Sequence, residues 1–219
     1  MQVLLQGKTA VVTGSNRGIG KAIVENFAKQ GARIWACARK PSEEFEEFLA
    51  TVAEEANVKI TPVYFDLDDA DGLKAAAKGI VAEKEPIDIL VNCAGVIHTA
   101  LFLMTPTDKM QSMFGTNFFA PMVFTQFLAK AMTRNKRGSI INVSSSAAIE
   151  GNDGRAPFGG LAEAQRQPLR SVGRTAPAAH GPPRGSLGEA RARRPSRSRD
   201  ESMRTKLACM CGRTRARRT

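Results

Sequence analysis

The sequence lacks a long apolar run and a cysteine framework. Its four cysteines show no framework spacing, which argues against a disulfide scaffold and favours a reducing compartment, so we expect a cytoplasmic protein. No apolar run reaches the roughly 18 residues that a membrane-spanning helix needs. The first residues lack the basic and long apolar regions of a signal peptide. We therefore expect no membrane partner.

An even distribution of charge is also missing. Residues 1–154 carry 16 Lys and Arg against 17 Asp and Glu, whereas residues 155–219 carry 16 against 4. The second segment contains 15 Arg, 10 Ala, 7 Gly and 6 Pro. Such a composition does not bury enough apolar surface to offset the entropy of ordering, so we expect a basic tail that is not folded. Its arginines favour nonspecific phosphate contacts, and no specific nucleic acid partner is expected.

Short apolar runs alternate with amphipathic segments through the predicted domain, residues 1–154. The predicted strands are Lys8–Gly14, Arg33–Cys37, Lys59–Phe65, Ile87–Val91 and Gly138–Val143. The predicted helices are Ile19–Gln30, Ser42–Ala56, Ala70–Glu83, Thr107–Phe114 and Ala120–Met132. Strands separated by helices of this length form right-handed crossovers in a parallel sheet. We predict an α/β fold, a doubly wound parallel sheet of the Rossmann type that is truncated after the fifth strand.

A glycine-rich turn joins the first predicted strand to the first predicted helix. Glycines at this junction allow a tight turn and a close approach of the backbone to a pyrophosphate. The helix N-terminus adds N–H groups and a partial positive charge. The residues predicted to bind a dinucleotide here are Gly14, Ser15, Asn16, Arg17, Gly18, Ile19 and Gly20.

The spacing of this turn, Thr-Gly-x-x-x-Gly-x-Gly, resembles the short-chain dehydrogenase/reductase family. Four further motifs of the family follow in order: Asp66-Leu67, Asn92-Cys93-Ala94-Gly95 with Cys93 in place of an asparagine, Gly115-Thr116-Asn117, and Ile141–Ser146. The resemblance runs from residue 6 to about residue 154 and is greatest to the bacterial 3-oxoacyl-acyl-carrier-protein reductase branch.

The resemblance implies a role for each matched residue. Asp66 and Leu67 would contact the adenine, while Asn92, Ala94 and Gly95 would complete the cofactor site. Among candidate catalytic residues, Ser145 would polarise a substrate carbonyl and Asn117 would support a proton relay. An intact member would be a homo-oligomer acting on a small-molecule or acyl-carrier-bound carbonyl substrate. No metal site is expected, since Cys209 and Cys211 lack further ligands in spacing.

The identity of the cofactor depends on charge near the adenine ribose. An acidic residue at the end of the second strand would accept hydrogen bonds from a ribose 2′-hydroxyl and repel a 2′-phosphate. The sequence instead has Arg39 and Lys40 there, with Arg17 in the glycine turn. Arginine binds phosphate in a bidentate manner, so we predict NADP(H) rather than NAD(H).

The family's catalytic Tyr-x-x-x-Lys pair is absent. Alignment through residues 151–154 places the tyrosine at position 158, which is Phe, and the lysine at position 162, which is Ala. Counting back 13 residues from position 158 gives Ser145. The composition changes at the same point to residues with GC-rich codons, so we predict a frameshift near codons 155–161. An evolved basic extension on a truncated domain is the alternative.

Two functions remain open from the sequence. The first is an oxidoreductase that uses NADP(H) to reduce a ketone, such as a 3-oxoacyl thioester, or to oxidise a secondary alcohol. The second is a non-catalytic dinucleotide-binding or basic-tail binding protein, which the missing Tyr and Lys favour. In either case, we expect the chain as written to be inactive as an enzyme.

Overall fold

A parallel β-sheet with helices on both faces forms the framework of the protein. The computed structural model describes residues 3–148, 159 and 203–208. The strands are β1 (Thr9–Thr13), β2 (Arg33–Ala38), β3 (Ile60–Tyr64), β4 (Ile89–Asn92), β5 (Gly138–Val143) and β6 (Met203–Ala208). The helices are α1 (Gly18–Lys29), α2 (Glu43–Ala56), α3 (Ala70–Ala82), α4 (Thr107–Phe114) and α5 (Ala120–Arg134).

The strand order is β3-β2-β1-β4-β5-β6, and every neighbouring pair is parallel. This order confirms the predicted doubly wound sheet. The chain reverses its direction of winding between β1 and β4, and such a reversal opens a crevice at the carboxyl ends of the strands. The fold therefore places the glycine turn after β1 beside the loop after β4.

Alternating side chains of the strands build a separate core on each face of the sheet. Val11 packs in the core that contains residues of α3 and α5, whereas Val12 packs in the core that contains residues of α1 and α2. Trp35 and Ile34 of β2 divide in the same way. Because both faces are covered, strands β1, β2 and β4 are buried along nearly their whole length, as expected for a parallel sheet.

The structure adds a sixth strand, β6, beside the fifth. Met203–Ala208 pairs in parallel with β5, from Gly138 opposite Met203 to Val143 opposite Ala208. Parallel pairing uses backbone N–H and C=O groups, which do not depend on the arginine-rich composition around the segment. Apart from Gly159 and β6, the predicted tail lies outside the described residues, Phe158 included, so the domain boundary and the frameshift stay predictions.

Among the described residues, none of the helices is long and apolar enough to cross a membrane. The same part of the chain holds no group of three or more His, Cys, Asp or Glu side chains placed to bind a metal ion.

Candidate functional site

A cleft of about 460 Å³ lies at the carboxyl edge of the sheet, at the point where β1 and β4 meet. Its lining comes from the ends of β1, β2 and β5, the start of α1, and the loops after β3 and β4. The lining residues include Thr13, Gly14, Asn16, Arg17, Gly18, Ile19, Gly20, Arg39, Phe65, Asp66, Leu67, Asp68, Cys93, Ala94, Gly95, Val96 and Thr116. Eleven of the thirteen residues predicted to bind a cofactor are among them.

Ser15 is one of the two predicted cofactor residues that do not line the cleft. Its side chain is fully buried, and its hydroxyl donates a hydrogen bond of 2.7 Å to the backbone oxygen of Val12. Its backbone N–H donates to the backbone oxygen of Cys37 at 3.0 Å. Ser15 therefore fixes the glycine turn to the ends of β1 and β2.

Asn92 is the other. It is buried, and its amide nitrogen donates to Oγ1 of Thr125 at 3.0 Å and to Oδ1 of Asn142 at 2.9 Å. Asn92 and Asn142 are opposite each other in the register of β4 and β5. In this structure Asn92 links both strands to α5, and its effect on the cleft is to align the loops that follow them.

Glycine is required at two positions of the turn by backbone packing. Gly14 has φ +70°, and a Cβ atom there would lie 2.8 Å from Cα of Ala94. A Cβ atom on Gly20 would lie 2.0 Å from the backbone oxygen of Gly14. These approaches, closer than real Cβ contacts, bring the turn, α1 and the loop after β4 into direct backbone contact.

The N-terminus of α1 carries N–H groups that no side chain caps. Arg17 occupies the N-cap position without a side-chain hydrogen bond, and the first turn contains no acidic residue. In contrast, Ser42 caps α2 and Asp69 caps α3. The helix that opens onto the cleft therefore presents its amides and positive dipole end to an anion.

Positive charge lies at the β2 side of the cleft. Arg17 and Arg39 are exposed and both line the cleft, whereas Lys40 is exposed but is not part of the lining. The segment from Cys37 to Lys40 contains no carboxylate. The carboxylates of the lining are Asp66 and Asp68, in the loop after β3. The glycine cradle, the uncapped helix and the two arginines together fit a phosphate-rich dinucleotide.

Asn117 lies in a five-residue π-helical turn, Gly115–Phe119, between α4 and α5. Its side chain is 2% exposed. Oδ1 accepts the backbone N–H of Val96 and Nδ2 donates to the backbone oxygen of Val96, both at 2.7 Å. Asn117 therefore clamps the loop after β4, and its predicted part in a proton relay stays a prediction. Wider turns of this kind are frequent at functional sites.

Ser145 follows β5 and is half-buried, and it is not part of the cleft lining. Its Oγ accepts the backbone N–H of Ala147 at 3.2 Å. This contact occupies an oxygen lone pair and leaves the hydroxyl hydrogen to donate to a carbonyl oxygen. The role of Ser145 toward a substrate carbonyl stays a prediction.

The one tyrosine of the chain, Tyr64, is held outside the cleft. It ends β3, and its hydroxyl donates to Glu46 of α2 at 2.9 Å. Partial burial, assisted by the Glu46 carboxylate, raises the pKa of Tyr64 to about 12. Tyr64 is absent from the lining. It therefore does not take the place of the missing tyrosine.

Nine lining residues were not among those predicted to bind the cofactor: Thr13, Cys37, Ala38, Phe65, Asp68, Cys93, Val96, Thr116 and Val143. Thr13 begins the glycine motif, and its place in that motif was the available signal. Thr116 directly precedes Asn117, and Asp68 follows Asp66 by two residues. Phe65 stacks on Phe124 with ring centroids 5.1 Å apart. For Thr116, Asp68 and Phe65, the sequence contained no signal beyond their proximity to predicted residues.

Comparison with known proteins identifies the family. The sequence model of short chain dehydrogenases matches residues 8–160. The chain belongs to the short-chain dehydrogenase family. Members of this family are oxidoreductases with a Rossmann-like fold that binds NAD(P). The matched range contains the glycine turn, the clamp on Val96 and the serines after β5.

Named relatives agree with this family. The chain is 32% identical over 154 residues to the 3-oxoacyl-(acyl-carrier-protein) reductase of Thermotoga maritima, covering 70% of this chain and 62% of the relative. It is 35% identical over 149 residues to a short chain dehydrogenase of Pseudocercospora fijiensis, covering 66% and 47%.

A solved structure with a similar fold is L-sorbose reductase of Gluconobacter frateurii in complex with NADPH and L-sorbose. The TM-score is 0.70 at 28% identity, over 75% of this chain and 62% of that one. The chain therefore spans less than two thirds of the length of these relatives.

Proposed function

We propose that the chain binds NADP(H) in the cleft between β1 and β4, and that the family reaction served by this site is reduction of a ketone or oxidation of a secondary alcohol. The observation that carries this proposal is the position of Arg17 and Arg39, which line the cleft where β2 ends without a carboxylate. A 2′-phosphate next to two guanidinium groups forms charge-assisted hydrogen bonds, whereas an uncharged 2′-hydroxyl gains little from them.

The other parts of the dinucleotide would be held by the remaining lining. The turn from Gly14 to Gly20 and the free amides of α1 would hold the pyrophosphate. Asp66 and Leu67 would contact the adenine. Ala94 and Gly95 would lie beside the nicotinamide half of the cofactor. Ser15 and Asn92 would support the site from beneath rather than contact the cofactor.

The bound cofactor would supply a hydride donor or acceptor. The chain's own residues would orient the carbonyl, with the Ser145 hydroxyl as donor to its oxygen, and Asn117 would hold the loop after β4 in place. A carbonyl also needs a proton when it is reduced, and a general acid contributes about 10²–10⁴-fold in rate. Position 158 is Phe and position 162 is Ala, so the chain as written lacks the family's proton donor and its lysine partner.

We therefore propose that this chain binds the dinucleotide without converting a substrate. A counterpart, meaning a version of the chain that carries the Tyr-x-x-x-Lys pair, would convert it. Similarity to the 3-oxoacyl-(acyl-carrier-protein) reductase of Thermotoga maritima favours an acyl-carrier-bound 3-oxoacyl thioester as the substrate of that counterpart. The structure of the Gluconobacter frateurii relative, with NADPH and L-sorbose, favours a polyol or sugar ketone instead.

Calorimetric titration of the full chain with NADPH and NADH tests cofactor binding. We expect NADPH to bind at least tenfold more tightly, a difference of about 1.4 kcal/mol, which one charge-assisted contact supplies. The Arg39→Ala variant should lose most of this preference. Lys59→Ala removes the same charge at an exposed residue before β3, outside the lining, and should retain it.

Equal affinity for the two dinucleotides would overturn the assignment of NADP(H). In the same samples, oxidation of NADPH by a 3-oxoacyl thioester or a sugar ketone is expected to stay at the rate of the sample without protein. A substrate-dependent rate would refute the proposal of binding without turnover and would require a proton donor other than Tyr64.

A further inference from the structure

Thr116 joins the π-helical turn to the loop after β3. Its hydroxyl donates a hydrogen bond to Oδ1 of Asp68 and lies 3.1 Å from the backbone oxygen of Ser112. A threonine hydroxyl has one hydrogen, and a carboxylate is the stronger acceptor of the two. Thr116 is 5% exposed, so water competes little for its hydroxyl. The bond to Asp68 therefore joins the turn to this loop.

Asp68 also contacts the predicted adenine side of the cleft. Its backbone N–H donates to Oδ1 of Asp66 at 3.1 Å, and both aspartates line the cleft. Asp66 thus fixes the backbone of Asp68, while the side chain of Asp68 receives Thr116. The loop after β3 and the π-helical turn are connected by side-chain hydrogen bonds, although they are 48 residues apart in sequence.

The opposite end of this connection is the clamp on the loop after β4. Asn117, next to Thr116, binds both the N–H and the C=O of Val96 at 2.7 Å. Val96 is 42% exposed and lines the cleft, so little else packs on its side chain. The position of Val96 in this loop therefore depends on where the turn places Asn117.

We propose that Asp68 and Thr116 are a positioning pair, which holds Asn117 on Val96 and couples occupation of the adenine side of the cleft to order in the loop after β4. The coupling rests on the proposed binding of a dinucleotide, whereas the holding of Asn117 does not. A ligand that orders Asp66 and Asp68 stabilises the acceptor of Thr116, and with it the clamp on Val96. Neither Asp68 nor Thr116 would touch the reacting atoms.

Amide hydrogen exchange of Val96 measures the clamp directly, because its N–H is the hydrogen that Asn117 accepts. The full chain is compared with Thr116→Val, which removes the hydroxyl at nearly constant shape, and with Thr116→Ser, which retains it. Thr133→Val is the matched control, since the Thr133 hydroxyl donates at 2.8 Å to the backbone oxygen of Ala129 within its own helix. Exchange at Val11 and Val12, in the two cores, reports whether each variant is folded.

We expect Val96 to exchange at least tenfold faster in Thr116→Val, which is about 1.4 kcal/mol of lost protection. Thr116→Ser and Thr133→Val should stay within about twofold of the unaltered chain, and the core amides should not change. If Thr116→Val loses protection in the cores, the Asp68→Asn variant is used in its place. It keeps an acceptor oxygen without the charge, so we expect a smaller acceleration of exchange at Val96. Unchanged exchange of Val96 in a folded Thr116→Val or Asp68→Asn variant would overturn the proposal.

Adenosine 2′,5′-bisphosphate, which lacks the nicotinamide half, tests the coupling. Added to the unaltered chain, it should slow exchange of Val96 severalfold, and this effect should vanish in Thr116→Val although the compound still binds. Slowing of equal size in both proteins would refute the coupling. Failure of the compound to bind the unaltered chain would count against the proposed function, while the comparison of variants without ligand would still decide whether the pair holds Asn117.

Discussion

The hydroxyl oxygen of Thr13, at the end of β1, accepts the backbone N–H of Cys93, the first residue after β4, at 3.0 Å. It also accepts the N–H of Ala94 at 3.1 Å, while the Thr13 hydroxyl lies 3.4 Å from the backbone oxygen of Val91. The backbone pairing of β1 and β4 ends where the loops that follow them diverge. At this point the Thr13 side chain provides the hydrogen bonds between the two segments. The opening between β1 and β4 takes its width from this contact.

Replacing Thr13 tests the contact. In Thr13→Val, two backbone N–H groups lose their acceptor, so we expect the free energy of unfolding to fall by roughly 1–3 kcal/mol and NADPH binding to weaken. Urea denaturation and NADPH titration measure the two effects. Thr13→Ser keeps the oxygen and should recover most of both losses. A fully stable Thr13→Val variant would show that other groups satisfy these amides.

Asp88 stabilises the opposite edge of the sheet. It is 7% exposed, and its carboxylate lies 2.9 Å from Nε of Arg137, 3.4 Å from Nζ of Lys8 and 3.1 Å from the backbone nitrogen of Thr9. Asp88→Ala removes the acceptor of a buried backbone N–H and the carboxylate partner of two cations. We therefore expect the free energy of unfolding, measured by urea denaturation, to fall by about 3 kcal/mol. The exposed pair of Asp71 and Lys74 is the control, and Asp71→Ala should cost under about 1 kcal/mol.

A methyl group at two helical glycines should have opposite effects. Gly20→Ala places Cβ 2.0 Å from the backbone oxygen of Gly14, so α1 must move and NADPH binding should be lost. Gly79→Ala, in α3, meets nothing within 4 Å and should stabilise the chain by up to about 1 kcal/mol. Thermal denaturation and NADPH titration of both variants give the comparison. Retained NADPH affinity in Gly20→Ala would contradict the proposed contact between the glycine turn and the cofactor.

Cys93 should report occupation of the cleft. Partial burial raises the pKa of Cys93, so little thiolate is present at neutral pH and alkylation should be slow. Because Cys93 lines the cleft, NADPH should slow its alkylation further. Cys37, which is fully buried, provides a control in the same digest and should not react in the folded protein. Mass spectrometry of the two peptides measures both, and an equal Cys93 rate with and without NADPH would contradict the proposed site.

Tyr64 should titrate late and play no part in binding. The pKa of Tyr64 is raised to about 12, mainly by burial and secondarily by Glu46. Because the folded protein keeps the phenolic proton after the unfolded chain has released it, its contribution to stability is complete below about pH 10 and is lost as the pH rises toward 12. Absorbance of the phenolate follows this single tyrosine. In Glu46→Gln the midpoint should fall yet stay above that of free tyrosine, and Tyr64→Phe should leave NADPH affinity unchanged.

Periodicity predicted the order and type of the elements from β1 to β5 because each is a local pattern. The helix predicted from Ser42 begins at Glu43 in the structure, with Ser42 as its N-cap, and Gly138–Val143 is a strand over the predicted range. The cleft followed from the same information, since a glycine turn after β1 and a polar loop after β4 meet at the reversal of a doubly wound sheet.

The sequence alone determined which loops meet, because strand order and winding fix the carboxyl edge of a parallel sheet. Only the tertiary structure decided which atoms in those loops face the cleft. Ser15 and Asn92 turn inward to pair with buried backbone and amide groups, while Thr116 reaches Asp68 across 48 residues of sequence. Strand β6 likewise pairs with β5 from a distant part of the sequence. Hydrogen bonds between distant segments leave no periodic trace in a sequence, because they depend on distances that exist only after the chain has folded.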